Sequence, residues 1–353
     1  MNAGEVPKMI RLTIPRRGAI ALAVAVASGA LVAGGAAAAS PMPAHVYAPY
    51  FETWTADTIN GVATASGARY FTLAFLETTG KTSCTLGWDG SKTQPVVPNG
   101  RYVADIATLR TMGGDVIPSF GGWSADQGGT EIGDSCSSVN SIAAAYEQVV
   151  TTYDVTRLDM DIEGKSLTRT DGIDRRNKAI AQLQAWATAN GRTVQVQYTL
   201  PTSRDGLEAS GLAVLQNAVA NNVRIDVVNP MVFDYYDRVT TDMGGAAVSA
   251  SNGLHAQLHT LFPAKTDGQL WATQGATIMN GLDDYPRRTE STSVQDAGQL
   301  LTFAQTNGMS TLSMWAIQRD NGGCPGTTGA NDCSGIAQQT WEFTSTLKGF
   351  TGP

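Results

Sequence analysis

From about residue 45 onward the chain alternates short apolar runs with longer amphipathic stretches. The runs cover 45–51, 70–76, 115–120, 157–162, 193–200, 226–233, 269–273 and 311–317. Their length and apolar character predict strands. Helical spacing lies between them, at 101–112, 173–189, 212–220, 294–306 and 337–347. In the second of these, Ile173, Ile180, Leu183 and Trp186 recur near a 3.6-residue period, which makes Trp186 a core residue. Asn190-Gly191 and Asn307-Gly308 supply helix stops before the next strand. Eight strands alternating with helices predict an α/β chain with a parallel sheet. Eight repeats in roughly 310 residues fit a closed (β/α)8 TIM barrel. The runner-up, an open doubly wound sheet, wants a glycine-rich phosphate loop after a strand, and no stretch has that spacing.

One strand breaks the ordinary pattern. In Arg157-Leu158-Asp159-Met160-Asp161-Ile162-Glu163-Gly164 the acidic residues fall at alternate positions. Alternation places Asp159, Asp161 and Glu163 on one face and Leu158, Met160 and Ile162 on the other. Same-face neighbours sit roughly 6–7 Å apart at Cα. Close carboxylates do not all ionise cheaply, so one proton is shared and one pKa rises. This is the electrostatics of carboxylate catalysis, and Glu163, last on its strand, falls where barrel enzymes place their chemistry.

The N-terminus modifies the picture. Lys8, Arg11, Arg16 and Arg17 precede an uncharged Ala/Val/Leu-rich run, 18–39, that ends in small residues. This predicts a secretory signal, residues 1–39, ahead of a single catalytic domain, 40–353, and an extracellular protein. Arg16-Arg17 permits a twin-arginine route, and an uncleaved membrane anchor is the alternative. Four of the 24 Lys/Arg and one of the 31 Asp/Glu lie in that segment, so its removal leaves a net charge of −10. An acidic chain argues against nucleic acid and anionic lipid as partners. A neutral or basic polymer suits it, and a monomer with no membrane attachment after cleavage is expected. Four cysteines in an exported chain suggest disulfides, with Cys84–Cys136 and Cys324–Cys333 favoured among three pairings. No cysteine pair has metal-ligand spacing. His255 and His259 are four apart on a predicted helix, but Ala256 excludes the HExxH pattern. No metal or cofactor is expected.

The motifs resemble those of the family-18 glycoside hydrolases, the chitinases. Asp159–Glu163 reads as the family's DxDxE. Ser119-Phe120-Gly121-Gly122, at the end of the third strand, matches its SxGG, and Met231-Val232-Phe233-Asp234-Tyr235 its sixth-strand MxYD. Trp315 matches the tryptophan that ends the eighth strand. The resemblance implies hydrolysis of β-1,4-linked N-acetylglucosamine polymers, endo-acting and without cofactor. The substrate's own acetamido oxygen serves as nucleophile, an exception to the two-carboxylate scheme. It implies Glu163 as general acid and base, Asp161 as the group that orients the acetamido, and Asp159 as proton partner, held by the Ser119 hydroxyl. Gly121 and Gly122 keep the backbone slim beside the substrate. Trp315 is the expected floor under the sugar, with Tyr50 and Trp123 as further walls, and Met231 and Phe233 as lining or core. Trp88 and Trp271 are weaker candidates. Tyr50 is chosen over Phe51 because only one of two consecutive residues faces inward.

Two positions depart from the family. Thr156 stands where its longer pattern has another Asp, and Asp154 is at the wrong offset. Phe233 stands where the family has the tyrosine that holds the acetamido oxygen. Tyr235, two residues on, is expected to share its face and to replace that hydroxyl. Gln195 and Gln197 are either sugar contacts or a satisfied interior layer. A catalytically silent chitin-binding lectin and an endo-β-N-acetylglucosaminidase remain as alternatives. With no tryptophan-rich appendage in view, weaker action on crystalline chitin than on soluble oligomers is expected.

Overall fold

The computed structural model describes residues 1, 39–239, 241–284 and 290–352. Residues 2–38 of the expected signal segment lie outside them. The described residues from 39 onward form one compact unit. Its parallel strands are β1, split into Val46–Tyr47 and Tyr50–Glu52, then β2 (Tyr70–Thr78), β3 (Asp115–Gly121), β4 (Arg157–Asp161), β5 (Gln195–Ser203), β6 (Val227–Met231), β7 (Gly275–Met279) and β8 (Thr311–Trp315). Each pairs in parallel with its successor. The split strand closes the ring. Its first half pairs with β8, where Ala48 N–H donates to Leu312 O at 2.9 Å, and its second half with β2, where Thr72 N–H donates to Pro49 O at 2.9 Å. The result is the expected (β/α)8 barrel.

Outward-facing strand residues build the main core against the helices. Leu158, Met160 and Ile162 are all buried there, as alternation requires. The barrel interior has three levels. Met42, Val46, Ala48 and Ile117 form a small apolar plug. Above it lies a polar middle: Arg157 donates to Gln195 Oε1 at 2.9 Å and to Thr311 Oγ1 at 3.0 Å, and Asn229 bridges Thr199 and Thr277. The mouth is aromatic, with Tyr50, Phe75 and Trp315 clustered.

One predicted strand is wrong. Residues 269–271 belong to the helix Asp267–Trp271 and 272–273 to the turn that follows it, and the seventh strand is Gly275–Met279. Thr266 caps that helix, with Gln269 returning a hydrogen bond to the Thr266 N–H. The T-x-x-Q box was present in the sequence and outweighs the short apolar run. Helices at Ile59–Ser66 and Val139–Tyr153, not among the predicted patterns, complete the outer layer. Both expected disulfides are present, Cys84–Cys136 and Cys324–Cys333. Trp88 and Trp271 are buried in the outer core, Trp88 donating to Tyr153 Oη and Trp271 stacked on His255. His255 is engaged by Asp267 and Gln274 while His259 is exposed.

Candidate active site

Register assembles the carboxylate face. β3 and β4 align Ser119 with Asp159 and Gly121 with Asp161, while β5 sets Gln197 beside Asp159 and Thr199 beside Asp161. Four donors converge on the Asp159 carboxylate, which is wholly buried. Ser119 Oγ (2.6 Å) and Tyr50 Oη (2.9 Å) donate to Oδ2, and Thr199 Oγ1 (2.7 Å) and Gln197 Nε2 (3.0 Å) to Oδ1. Burial pushes Asp159 up and these hydrogen bonds pull it back. A carboxyl with every acceptor position taken has no room to act as a donor. The proton of the Asp159–Asp161 pair therefore belongs on Asp161. Asp161 is buried, its Oδ1 has no partner among the described residues, and burial followed by the charges of Glu163, Asp159 and Asp126 holds it well above the usual carboxylate range.

β4 ends at Asp161, and Glu163 lies in extended backbone just beyond, ahead of a short 3-10 turn, Gly164–Leu167. It is half-buried, whereas Asp159 and Asp161 are not accessible. Burial, reinforced by the charge of Asp284, pushes its pKa up to about 7. A carboxyl with that pKa is protonated often enough to act as an acid near neutrality and ionised often enough to act as a base.

The two glycines are required sterically. A Cβ on Gly121 would lie 2.1 Å from Asp161 O, and one on Gly122 would lie 2.5 Å from the Phe75 ring. Both have positive φ, +97° and +81°, which only glycine adopts freely. Gly122 N–H also donates to Asp161 O at 3.1 Å, locking the two strand ends together.

Above the carboxylates, Trp315 lies nearly parallel to Phe75, with centroids 5.5 Å apart and 13° between planes. Trp54 extends the strip, 6.4 Å from Phe75 at 26° and itself 39% exposed. Trp123 follows Gly122 directly, is 60% exposed and lies close to Gly164. Tyr50 is inside the barrel and Phe51 in the outer core, as alternation predicts, but Tyr50 is only 1% exposed. It serves Asp159 and does not form a wall of the cleft.

The expectation for Tyr235 fails on geometry. It assumed a strand running through residue 235, but β6 stops at Met231 and Asp234 takes φ +53°. Tyr235 is instead packed in the outer core under the Arg204 guanidinium, 4.7 Å from the ring centroid, with its hydroxyl buried and without a partner among the described residues. Its neighbour Tyr236 is exposed, and its hydroxyl feels the charges of Asp234, Asp284, Asp283 and Glu163. Met231 is buried at the end of β6, between Pro201 of β5 and Thr277 of β7, and Phe233 is half-buried just beyond it. Gln197 belongs to the support of Asp159, and Gln195 to the Arg157 layer below. Thr156, at the position of the family's further Asp, lies far from the mouth, its hydroxyl on Ser40 O.

Sequence reading missed Asp126, Phe75 and Trp54. Asp126 is fully buried, and its carboxylate accepts the Glu163 main-chain N–H. In the sequence it stands in Asp126-Gln127-Gly128-Gly129, which reads as a turn. Thr199, which alternates with Gln195 and Gln197 along its run, and Asn229, set between Val228 and Pro230, complete the polar middle and could have been flagged as interior donors on that ground. Among the described residues no group of three or more His, Cys, Asp or Glu is arranged to hold a metal ion.

Comparison with known proteins agrees with this geometry. The family model Glycosyl hydrolases family 18 matches residues 46–332. The chain is 32% identical over 289 residues to the probable bifunctional chitinase/lysozyme of Escherichia coli K12 and 31% identical over 289 residues to endochitinase 11 of Metarhizium anisopliae. Each alignment covers 79% of this chain, but only 31% and 53% of those proteins, so the chain spans about a third and about half of their lengths. Among solved structures, active domain 2 of the Pyrococcus furiosus chitinase superposes with a TM-score of 0.77 at 28% identity, over 88% of this chain and 96% of that domain. A second structure of that domain, TM-score 0.76, is complexed with chito-oligosaccharides and covers 88% of this chain and 95% of its own.

Proposed function

Because the chain belongs to glycosyl hydrolase family 18, we propose that it hydrolyses chitin-type polymers of β-1,4-linked N-acetylglucosamine, with net retention and with the substrate's acetamido group as nucleophile. The observation that carries this reading is Glu163, half-buried at the mouth with its pKa raised to about 7, with the buried Asp161, itself held well above the usual carboxylate range, behind it. The names of the relatives support the substrate class. In the first step the acetamido carbonyl oxygen bonds to the anomeric carbon as the glycosidic C–O bond breaks, and Glu163 gives its proton to the departing oxygen. Asp161 holds the acetamido N–H, and the Asp159–Asp161 pair keeps one negative charge beneath the oxazolinium cation. Water then opens the ring and returns a proton to Glu163. The two disulfides suit an oxidising compartment, which supports export of the mature chain. Endo-action follows the same resemblance.

Glu163→Gln keeps the side-chain shape and removes the acid. The expected result is loss of turnover by about a thousandfold or more, with oligosaccharide binding retained, read by release of reducing ends and by calorimetry. Undiminished turnover in that variant refutes the reading.

A second reading, a chitin-binding lectin, draws support from Phe233 and from the burial of the Tyr235 hydroxyl away from the site. Release of reducing ends from colloidal chitin by the wild-type chain separates the two. Parallel digestion of chitin oligomers and a high-mannose glycoprotein separates a chitinase from an endo-β-N-acetylglucosaminidase.

A further inference from the structure

The strand ladder runs out just below the acid. β3 ends at Gly121 and β4 at Asp161. Ile162 N–H still reaches β5, donating to Thr199 O at 3.0 Å. Main-chain groups of successive strand residues point to opposite neighbours, so the Glu163 N–H points to the β3 side. The register ends at Gly121–Asp161, and β3 has no further residue to pair with Glu163. The chain has already turned at Gly122 into the short helix Trp123–Gly128. Asp126, on that helix, takes the place of the missing strand: its Oδ2 accepts the Glu163 N–H. An orphaned donor is avoided and the acid's backbone is tied down beyond the ladder.

The same helix holds the acid a second time. The Trp123 main-chain N–H donates to the Glu163 carboxylate. One short segment therefore grips Glu163 at its backbone, through Asp126, and at its side chain, through Trp123. The turn that follows is held as well: Ser166 Oγ donates to Asp134 Oδ2, which also pairs with Arg169 Nη1 at 3.0 Å. Asp126 is wholly buried. It is faced by Asp161 and Glu163 and by the buried ion pair of Glu131 with Arg176, 2.7 Å, which reaches in from the helix Thr170–Ala189. Its Oδ1 has no partner among the described residues. A third buried carboxyl beside Asp161 and Glu163 is destabilising. An apolar side chain would fill the space with less penalty, so packing does not explain the carboxylate. The Glu163 N–H that it holds does.

We propose that Asp126 is the positioning residue of the acid: its carboxylate fixes the main chain of Glu163 beyond the end of the ladder and so sets where the Glu163 carboxyl meets the leaving oxygen. Being wholly buried, it acts through Glu163 and not on the substrate. The proposal rests on the reading of Glu163 as general acid.

The test measures kcat/KM on an N-acetylglucosamine hexamer and on the dinitrophenyl glycoside of the N-acetylglucosamine dimer. Dinitrophenolate departs without a proton, so the second substrate reads the site with the acid's proton transfer taken out. Asp126→Ala removes the acceptor, Asp126→Leu removes it while filling the space, and Asp126→Asn keeps an oxygen for the Glu163 N–H. Each variant is checked for folding by its thermal transition, and calorimetry in a Glu163→Gln background gives hexamer Kd. A misplacement of about 1 Å lowers turnover on the order of a hundredfold. The expected result is a roughly hundredfold loss of hexamer kcat/KM in the Ala and Leu variants and less than about a tenfold loss on the dinitrophenyl glycoside. Hexamer Kd stays within about twofold, and Asp126→Asn stays within about fivefold of the wild type on both substrates. Equal losses on both substrates, a Kd that weakens in step with kcat/KM, or an Asn variant as poor as the Ala variant overturns the positioning role. Hexamer turnover left intact in the Ala and Leu variants overturns it too. Those outcomes leave hydrolysis by the wild-type chain in place, whereas a wild-type chain that cleaves neither substrate overturns the positioning role and the functional reading together.

Discussion

Glu163 sets the acid–base behaviour of the site, and a residue-scale prediction follows from the cause of its raised pKa. The protonated form gives the proton to the leaving oxygen, so kcat/KM for the free enzyme falls as pH rises through about 7. After burial, the largest contribution is the charge of Asp284. Asp284→Asn removes that charge, lowers the pKa of Glu163 and moves the alkaline limb of the pH–rate profile toward lower pH. A limb that stays in place in this variant shows that Asp284 does not act on Glu163. At this scale the sequence was legible wherever a regular strand carried the residues: Asp159, Asp161, Ser119 and both glycines stand where alternation and motif place them. It failed at Tyr235, because alternation was extended past Met231 into a loop where Asp234 takes a left-handed conformation. It was silent on Asp126, whose role depends on a main-chain N–H 37 residues away.

At the scale of elements, the two disulfides do different things. Cys84–Cys136 spans 52 residues and ties the loop after β2 to the buried Cys136, just beyond the short helix Ile132–Ser135. Cys324–Cys333 closes a loop of 9. The chain-entropy relation gives about 4 kcal/mol for the first and about 2.5 kcal/mol for the second. Denaturant unfolding of Cys84→Ser/Cys136→Ser is therefore expected to show a larger loss of stability than that of Cys324→Ser/Cys333→Ser. Reversal of that order contradicts the division. Element boundaries were readable to within a few residues where a strand or helix was strongly periodic. The seventh strand was misplaced because an apolar run of five residues does not distinguish a strand from a helical turn, and the cap at Thr266 decided the matter. The split of β1 is signalled locally only by Pro49, which has no N–H for the ladder; that its two halves serve two different neighbouring strands and so close the barrel is not readable locally.

For the whole molecule, the barrel concentrates buried carboxyls at one end and this couples stability to pH. Glu163 and Glu290 are raised to about 7, Glu52 to about 8 and Asp234 to about 9, and Asp126 and Asp161 lie well above the ordinary range, in each case chiefly through burial. Unfolding returns them to values near 4. Between about pH 4 and these raised values the folded chain binds more protons than the unfolded one, so stability falls as pH rises. The opposite shift holds at Asp154, Asp174 and Asp237, whose pKa values are lowered. Those groups titrate below pH 4 and contribute nothing to the slope above pH 5. The guanidinium midpoint is accordingly expected to drop steadily from pH 5 to pH 8. Glu163→Gln removes one of the titrating groups, so its midpoint declines less steeply and the variant overtakes the wild type in stability toward pH 8. Parallel curves for the two chains over that range mean that Glu163 titrates alike in the folded and unfolded states. In that case the acid at the mouth owes its activity to something other than its burial.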